Sequence, residues 1–250
     1  MHQAVMLITG ASRGIGAVTA VMAAQRGYAV AVNYVHNANA AQHVVDTIVA
    51  AGGQAMAVQA DVAKEADILR MFDTVLTRWG RLDVLVNNAG VLEQMMPVQT
   101  MTAERISRVM NTNVVGLMLC CRQAIAHMAK HQGGKGGAIV NVSSIAARLG
   151  SPFEYVDYAA SKAAVDAITI GLAKEMATEG VSVNAVRPGL IYTDIHASGG
   201  DANRVERLQV NVPMQRGGQP EEVAEAILWL ASDAASYVTG SLLDVAGGRS

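Results

Sequence analysis

Short apolar runs alternate along this chain with longer stretches in which apolar positions recur every three or four residues. AVMLITG (4–10), YAVAVNY (28–34), QAMAVQAD (54–61), LDVLVNN (82–88), AIVNVSS (138–144), VSVNAVRP (181–188) and SLLDVAG (241–247) have the length and composition of strands. The helical period predicts helices from about Ile15 to Arg26, through AAQHVVDTIVAA, from about Lys64 to Trp79, from about Ala103 to His131 and from about Tyr158 to Glu179. A last helix starts at Pro220, a residue suited to a first helical turn. Gly27, Gly52-Gly53 and Gly80 close three of these helices, and GGKGG (133–137) resets the chain before the fifth strand.

Strands that are apolar on both faces need cover on both faces, and helices between them supply it. The expected fold class is therefore α/β, a doubly wound parallel seven-stranded sheet of the Rossmann type. No linker, repeat or low-complexity tract divides residues 1–250, so one domain is expected. DIHASGGDANRVERLQVNV (194–212) follows neither period and is the candidate lid over a substrate.

Composition removes several partners. The chain has 250 residues, 51% hydrophobic and 16% charged, with a formal charge of −2 and no basic run. Neither nucleic acid nor an anionic membrane is an expected partner. No apolar stretch approaches the roughly 18 residues of a membrane span. The opening MHQAVMLITG lacks the basic region and small-residue site of a signal peptide. Cys120 and Cys121 are adjacent and cannot build a disulfide framework, so a reducing cytoplasmic location is expected.

Two motifs carry chemistry. TGASRGIG (9–16) sits between the first strand and the first helix, where a pyrophosphate meets a helix N-terminus. There Gly10 permits the tight turn, Gly14 lets backbone approach phosphate, and Gly16 allows close helix–strand packing. In YAASK (158–162), Tyr158 and Lys162 are four residues apart and share a helix face. At about 6 Å and an effective dielectric of ~20, their attraction favours phenolate by roughly 3 kcal/mol. That predicts a tyrosine pKa near ~8 instead of ~10, usable for acid–base work. Tyr155 has Ala159 at the same spacing and no lysine.

Together with NNAG (87–90) and RPGLIYT (187–193), these motifs make the chain resemble the short-chain dehydrogenase/reductase family along nearly its whole length. The likeness is to the NADP-preferring branch, that of 3-oxoacyl reductases and glucose dehydrogenases. PMQRGGQPEEVA (213–224) and YVTGSLLDVAGG (237–248) add a family-like C-terminal part. The resemblance implies hydride transfer between a nicotinamide and a carbonyl or secondary alcohol, with Tyr158 as acid/base and Lys162 lowering its pKa. It implies that Ser144 holds the substrate oxygen, with Ser143 the alternative, and that Asn113 in NTNVVG (111–116) supports a proton relay. Asn111 is the rival there, and Gly116, three residues on, selects Asn113.

For the cofactor the resemblance implies Gly10, Ser12, Arg13, Gly14, Ile15 and Gly16 in the loop, with Asn33 at the end of the second strand. It implies Asp61 and Val62 about the adenine, and Asn88, Ala89 and Gly90 along the adenosine. Pro188, Gly189, Ile191 and Thr193 would lie beside the nicotinamide, with Tyr158 and Lys162. Charge decides between cofactors. The second strand ends in Asn33-Tyr34, without the acid that binds a ribose 2′-OH, and Arg13 suits a 2′-phosphate, so NADP is expected over NAD. No metal is needed. A homotetramer packed through the helices of 103–131 and 158–179 is implied as well.

Two features depart from the family pattern. The gap between Ser144 and Tyr158 is one residue longer than is commonest, in SPFEYVD (151–157), and Ala246 stands where many relatives carry aspartate. His127 and His131 are four apart but lack a third ligand, and are expected on a solvated helix end. A non-catalytic NADP-binding sensor or scaffold of the same fold is the competing reading, and the four catalytic candidates argue against it.

Overall fold

A computed structural model describes residues 3–250. Seven strands alternate with helices in chain order. They are β1 (Val5–Ile8), α1 (Gly14–Gln25), β2 (Ala29–Tyr34), α2 (Ala38–Ala50), β3 (Gln54–Gln59), α3 (Glu65–Trp79) and β4 (Val84–Asn87). Next come α4 (Ala103–Met110), α5 (Leu117–Met128), β5 (Gly137–Val142), α6 (Ala146–Leu149), α7 (Val156–Met176) and β6 (Val181–Pro188). α8 (Ile195–Ser198), α9 (Arg204–Leu208), α10 (Pro220–Leu230) and β7 (Leu242–Val245) complete the chain.

The strands form one parallel sheet in the order β3-β2-β1-β4-β5-β6-β7, as the apolar runs predict. Alternation along each strand sends side chains to two separate cores. Val5, Leu7, Leu85 and Ile139 pack with Ile68, Phe72, Cys121 and Val165 of α3, α5 and α7. Met6, Ile8, Val86 and Val140 face Ala20, Ile48 and Ile227 of α1, α2 and α10 on the other side. α10 opens as Pro220 foretells, with a capping box between Gln219 and Glu222.

The order reverses at β1, which lies between β2 and β4. That switch point opens a crevice beyond the C-terminal ends of the strands. The helix expected as continuous from about Ala103 to His131 runs on without a break from α4 into α5, but it changes its winding there. Residues Asn111–Gly116 form a π-helical turn, and the helix ends at Met128. Gly116 presses its backbone on Val62, where an added Cβ would stand 2.4 Å from the carbonyl oxygen. Such turns recur at functional sites.

Candidate active site

The crevice encloses about 980 Å³, enough for a large ligand. At one end Gly10, Ser12, Arg13, Gly14 and Ile15 line it, with Asp61 and Val62 on one wall and Asn88 to Gly90 on the other. α1 begins with no acid in its first turn, and Arg13 at its N-cap makes no side-chain cap bond. The first N–H groups are thus left for an anion, so the loop fits a dinucleotide pyrophosphate.

Backbone proximity explains the glycines. Gly10 has φ +62°, and a Cβ there would lie 2.9 Å from Ala89 Cα. At Gly16 a Cβ would lie 2.5 Å from Asn88 Nδ2, which donates to the carbonyls of Thr9 and Gly10 at 2.9 Å. Gly16 is buried and packs the loop without reaching the crevice wall. Asn33, expected against the cofactor, likewise does not reach the crevice. Its side chain is buried, accepting from Gly10 N (3.0 Å) and donating to Ala60 O (3.0 Å), so it braces the loop from behind. The next residues, Tyr34 to Asn37, are the ones that line the crevice, and none is acidic. Arg13 is exposed there with no ion-pair partner among the described residues.

At the other end Ser144, Tyr158, Lys162, Pro188, Gly189, Ile191 and Thr193 converge. Lys162 is buried beneath Tyr158, its Nζ 5.5 Å from the ring centroid and donating to Val142 O at 2.7 Å. The expected phenol pKa near ~8 is not borne out. Burial pushes Tyr158 up to about 12, with the Ser144 hydroxyl acting against it. Burial likewise brings Lys162 down to about 8, with Asp166 countering. The cost of taking each ion from water outweighs the attraction between them. Tyr158 itself is only partly covered, because it faces the crevice, and water there screens part of that penalty.

The two serines, just past the end of β5, divide their roles. Ser143 is buried and bonded to Asp166 (2.6 Å) and the carbonyl of Lys162 (3.1 Å), which locks α7 to the strand end. Ser144 lines the crevice and accepts from Ala146 N at 3.1 Å. Asn113 lies behind the wall. Its amide is spent on the backbone of Val91 (2.8 and 3.1 Å) and on Ser161 (3.0 Å). A Cβ on Gly90 would be 3.4 Å from Asn113 Oδ1 and 3.5 Å from Lys162 Nζ, so the two candidates flank that glycine.

Sequence spacing gave no sign of a buried ion pair that fastens α7. Arg105 of α4 donates to Asp157 at 2.8 Å, and Asp157 accepts from the backbone N–H of Tyr158 at 2.9 Å. The extra residue before Tyr158 is absorbed by a turn in which Ser151 (φ 45°) and Phe153 (φ 64°) both adopt left-handed backbone. Tyr155, the rival tyrosine, donates to Gly199 O at 3.0 Å and is thereby committed to the segment after β6. Ala246 touches Gly189, where a Cβ would lie 2.8 Å from its Cα.

The comparisons agree with this geometry. A family model described as enoyl-(acyl carrier protein) reductase matches residues 10–250. An uncharacterized oxidoreductase of Escherichia coli K12, YgfF, is 58% identical over 98% of this chain and 100% of its own length. The chain belongs to the short-chain dehydrogenase/reductase family. As a family member it is an NAD(P)-dependent oxidoreductase. A 3-oxoacyl-[acyl-carrier-protein] reductase of Synechocystis is 43% identical, covering 98% of this chain and 96% of that one. A solved 3-ketoacyl-(acyl-carrier-protein) reductase of Brucella melitensis, complexed with NADH, superposes with a TM-score of 0.91 at 33% identity. That match covers 99% of this chain and 98% of the other.

Cys120, Cys121, His127 and His131 lie away from the crevice. No group of three metal-ligating side chains occurs among the described residues. α5 ends before His131, which instead pairs with Glu179 at 2.9 Å. Cys120 and Cys121 are buried free thiols, and desolvation raises both pKa values. Among the described residues no helix is long and apolar enough to cross a membrane.

Proposed function

We propose that this protein is an NADP-dependent carbonyl reductase or alcohol dehydrogenase. The reading is carried by the stacking of Lys162 under Tyr158 beside Ser144, at the end of the crevice opposite the glycine loop. Gly10 to Ile15 would hold the pyrophosphate, Asp61, Val62 and Asn88 to Gly90 the adenosine side, and Pro188 to Thr193 the nicotinamide side. Arg13 would pair with the 2′-phosphate, in a surround with no acid to repel it. When bound, the dinucleotide supplies or accepts the hydride.

The protein's own part is proton management. In reduction Tyr158 donates its proton to the carbonyl oxygen, and Ser144 donates a hydrogen bond that stabilises the charge developing there. A phenol kept protonated by burial suits that direction, and Lys162 steadies the phenolate left behind. Asn113 holds the turn at Val91 against α7 and so supports the relay toward Lys162. The segment 194–212 acts as a lid, a role supported by its bond to Tyr155. Exposed apolar side chains on α4, α5 and α7, Ile106, Met118 and Ile170 among them, support a homotetramer. Two buried free thiols fit a cytoplasmic location.

The test is oxidation of NADPH, with NADH as control, across ketones, diketones, sugars and oxoacyl thioesters. Turnover with NADPH that disappears in Tyr158→Phe supports the reading. Faster turnover with NADH overturns the cofactor assignment, and tight NADPH binding with no turnover favours a sensor.

A further inference from the structure

The substrate end of the crevice has a charge that nothing on its walls balances. Arg108 pairs with Glu93 at 3.0 Å, and Arg204 pairs with Glu154 at 2.5 Å while lying 5.1 Å over the ring of Tyr155. Arg249 lines the same end and is half-buried, yet it has no ion-pair or hydrogen-bond partner for its side chain among the described residues. Its position is imposed by the backbone. Gly247 (φ +60°) and Gly248 (φ +85°) turn the chain against Val212 and Pro213, and the Arg249 N–H donates to Ala246 O at 3.1 Å.

The charges that act on Arg249 are those of Arg204 and Glu154, so this corner holds one positive charge in excess. Asp194, the remaining acid on the lining at this end, is exposed near Thr193 and is not among the charges acting on Arg249. Withdrawing a guanidinium from water beside a second guanidinium is unfavourable unless an anion joins them. A planar fork of donors suits a carboxylate or a phosphate.

We propose that this corner recognises an anionic group, a carboxylate or a phosphate monoester, on the carbonyl substrate, with Arg249 as its direct partner and Arg204 behind it. This deepens the reductase reading and rests on it. Arg204 lies over Tyr155, about one helical turn before Tyr158, so the anion would lie at the same end of the crevice as the reacting carbonyl. Short keto acids and keto phosphates carry both groups. A neutral ketone leaves Arg249 unpaired.

The test is equilibrium binding to the full chain, with and without NADPH, of levulinate against its methyl ester, and of dihydroxyacetone phosphate against dihydroxyacetone. The expected result is that an acid binds about tenfold or more tighter than its neutral partner. That preference should shrink with added salt, collapse in Arg249→Gln and survive in part in Arg249→Lys. Preference for levulinate identifies a carboxylate, and preference for dihydroxyacetone phosphate alone identifies a phosphate. Equal affinity for acid and neutral partner, no binding by either, or a preference intact in Arg249→Gln overturns the proposal. Thermal unfolding checks that each variant folds, and the salt dependence of the unaltered protein stands if the glutamine variant does not. Failure of the reductase reading appears elsewhere, as no NADPH oxidation with any carbonyl, or oxidation that persists in Tyr158→Phe.

Discussion

The two ends of the crevice are built on different terms. The nucleotide end is made of strand ends and a glycine turn, and it is braced from behind by buried amides. Asn33 and Asn88 tie the Thr9–Gly10 backbone to β3 and β4, and backbone contacts exclude any larger residue at Gly10 or Gly16. The substrate end is made of connecting segments held by ion pairs such as Arg204–Glu154 and by the bond from Tyr155 to Gly199. Its turn leaves Phe153 82% exposed, where Thr9 and Ala11 of the glycine loop are buried. On the proposed function, cofactor binding is therefore tied to the sheet, while substrate choice would lie in segments that can change without dismantling it.

The sharpest way to break that contrast is at the catalytic pair. Tyr158→Phe should lower kcat by about three orders of magnitude, the range for losing a positioned general acid. NADPH affinity, read by fluorescence titration, should move far less, because the glycine loop is untouched. A comparable loss of cofactor binding would show that the two ends are not separable.

Lys162 gives the next largest effect, and it appears in stability. Its ammonium titrates at 10.5 when unfolded and at about 8 when buried, with desolvation the main cause. Between those pH values the unfolded chain binds more protons, so stability rises with pH by up to about 3 kcal/mol. Lys162→Met should abolish that rise in urea unfolding series between pH ~7.5 and ~10. Above about pH 10 Tyr158 acts in the opposite sense, since the folded phenol keeps a proton that the unfolded chain has released. A slope unchanged in Lys162→Met would mean that the ammonium is solvated.

The sheet, its seven strands and the glycine loop were legible in the sequence because both are local. A strand apolar on both faces and a turn with glycines at fixed spacing need no distant partner to be recognised. The Tyr158–Lys162 pair was legible for the same reason, as an i, i+4 spacing. Its electrostatics were not, because desolvation depends on what Val142, Ser144 and the crevice walls place around it. Asn33 was misjudged because strand position does not say which way an amide faces. Arg105–Asp157, Arg204 and Arg249 were invisible, since each becomes part of the site only when segments far apart in sequence are brought together.

Arg13 sharpens the nucleotide end. Arg13→Gln should weaken NADPH binding by about ten- to hundredfold, the worth of a charge-assisted bond to phosphate, and leave NADH nearly unaffected. Equal losses for both cofactors would place the arginine on the pyrophosphate instead. No change for either would leave the Tyr34–Asn37 turn, with His36 and Asn37, as the group that meets the 2′-phosphate.

The smallest effect separates the two tyrosines themselves. Tyr155→Phe deletes one hydrogen bond, to Gly199 O, and keeps the ring under Arg204. The stability cost should be about 1 kcal/mol, as for a single neutral bond. Its mark should be local, with faster amide exchange across α8 and α9 and none in β1 or β4. In kinetics KM should rise severalfold while kcat falls far less than in Tyr158→Phe, because the lid loses an anchor and the proton donor stays in place. A fall in kcat as large as that of Tyr158→Phe would make Tyr155 part of the proton transfer, and the division between sheet-bound chemistry and loop-bound selection would fail at that residue.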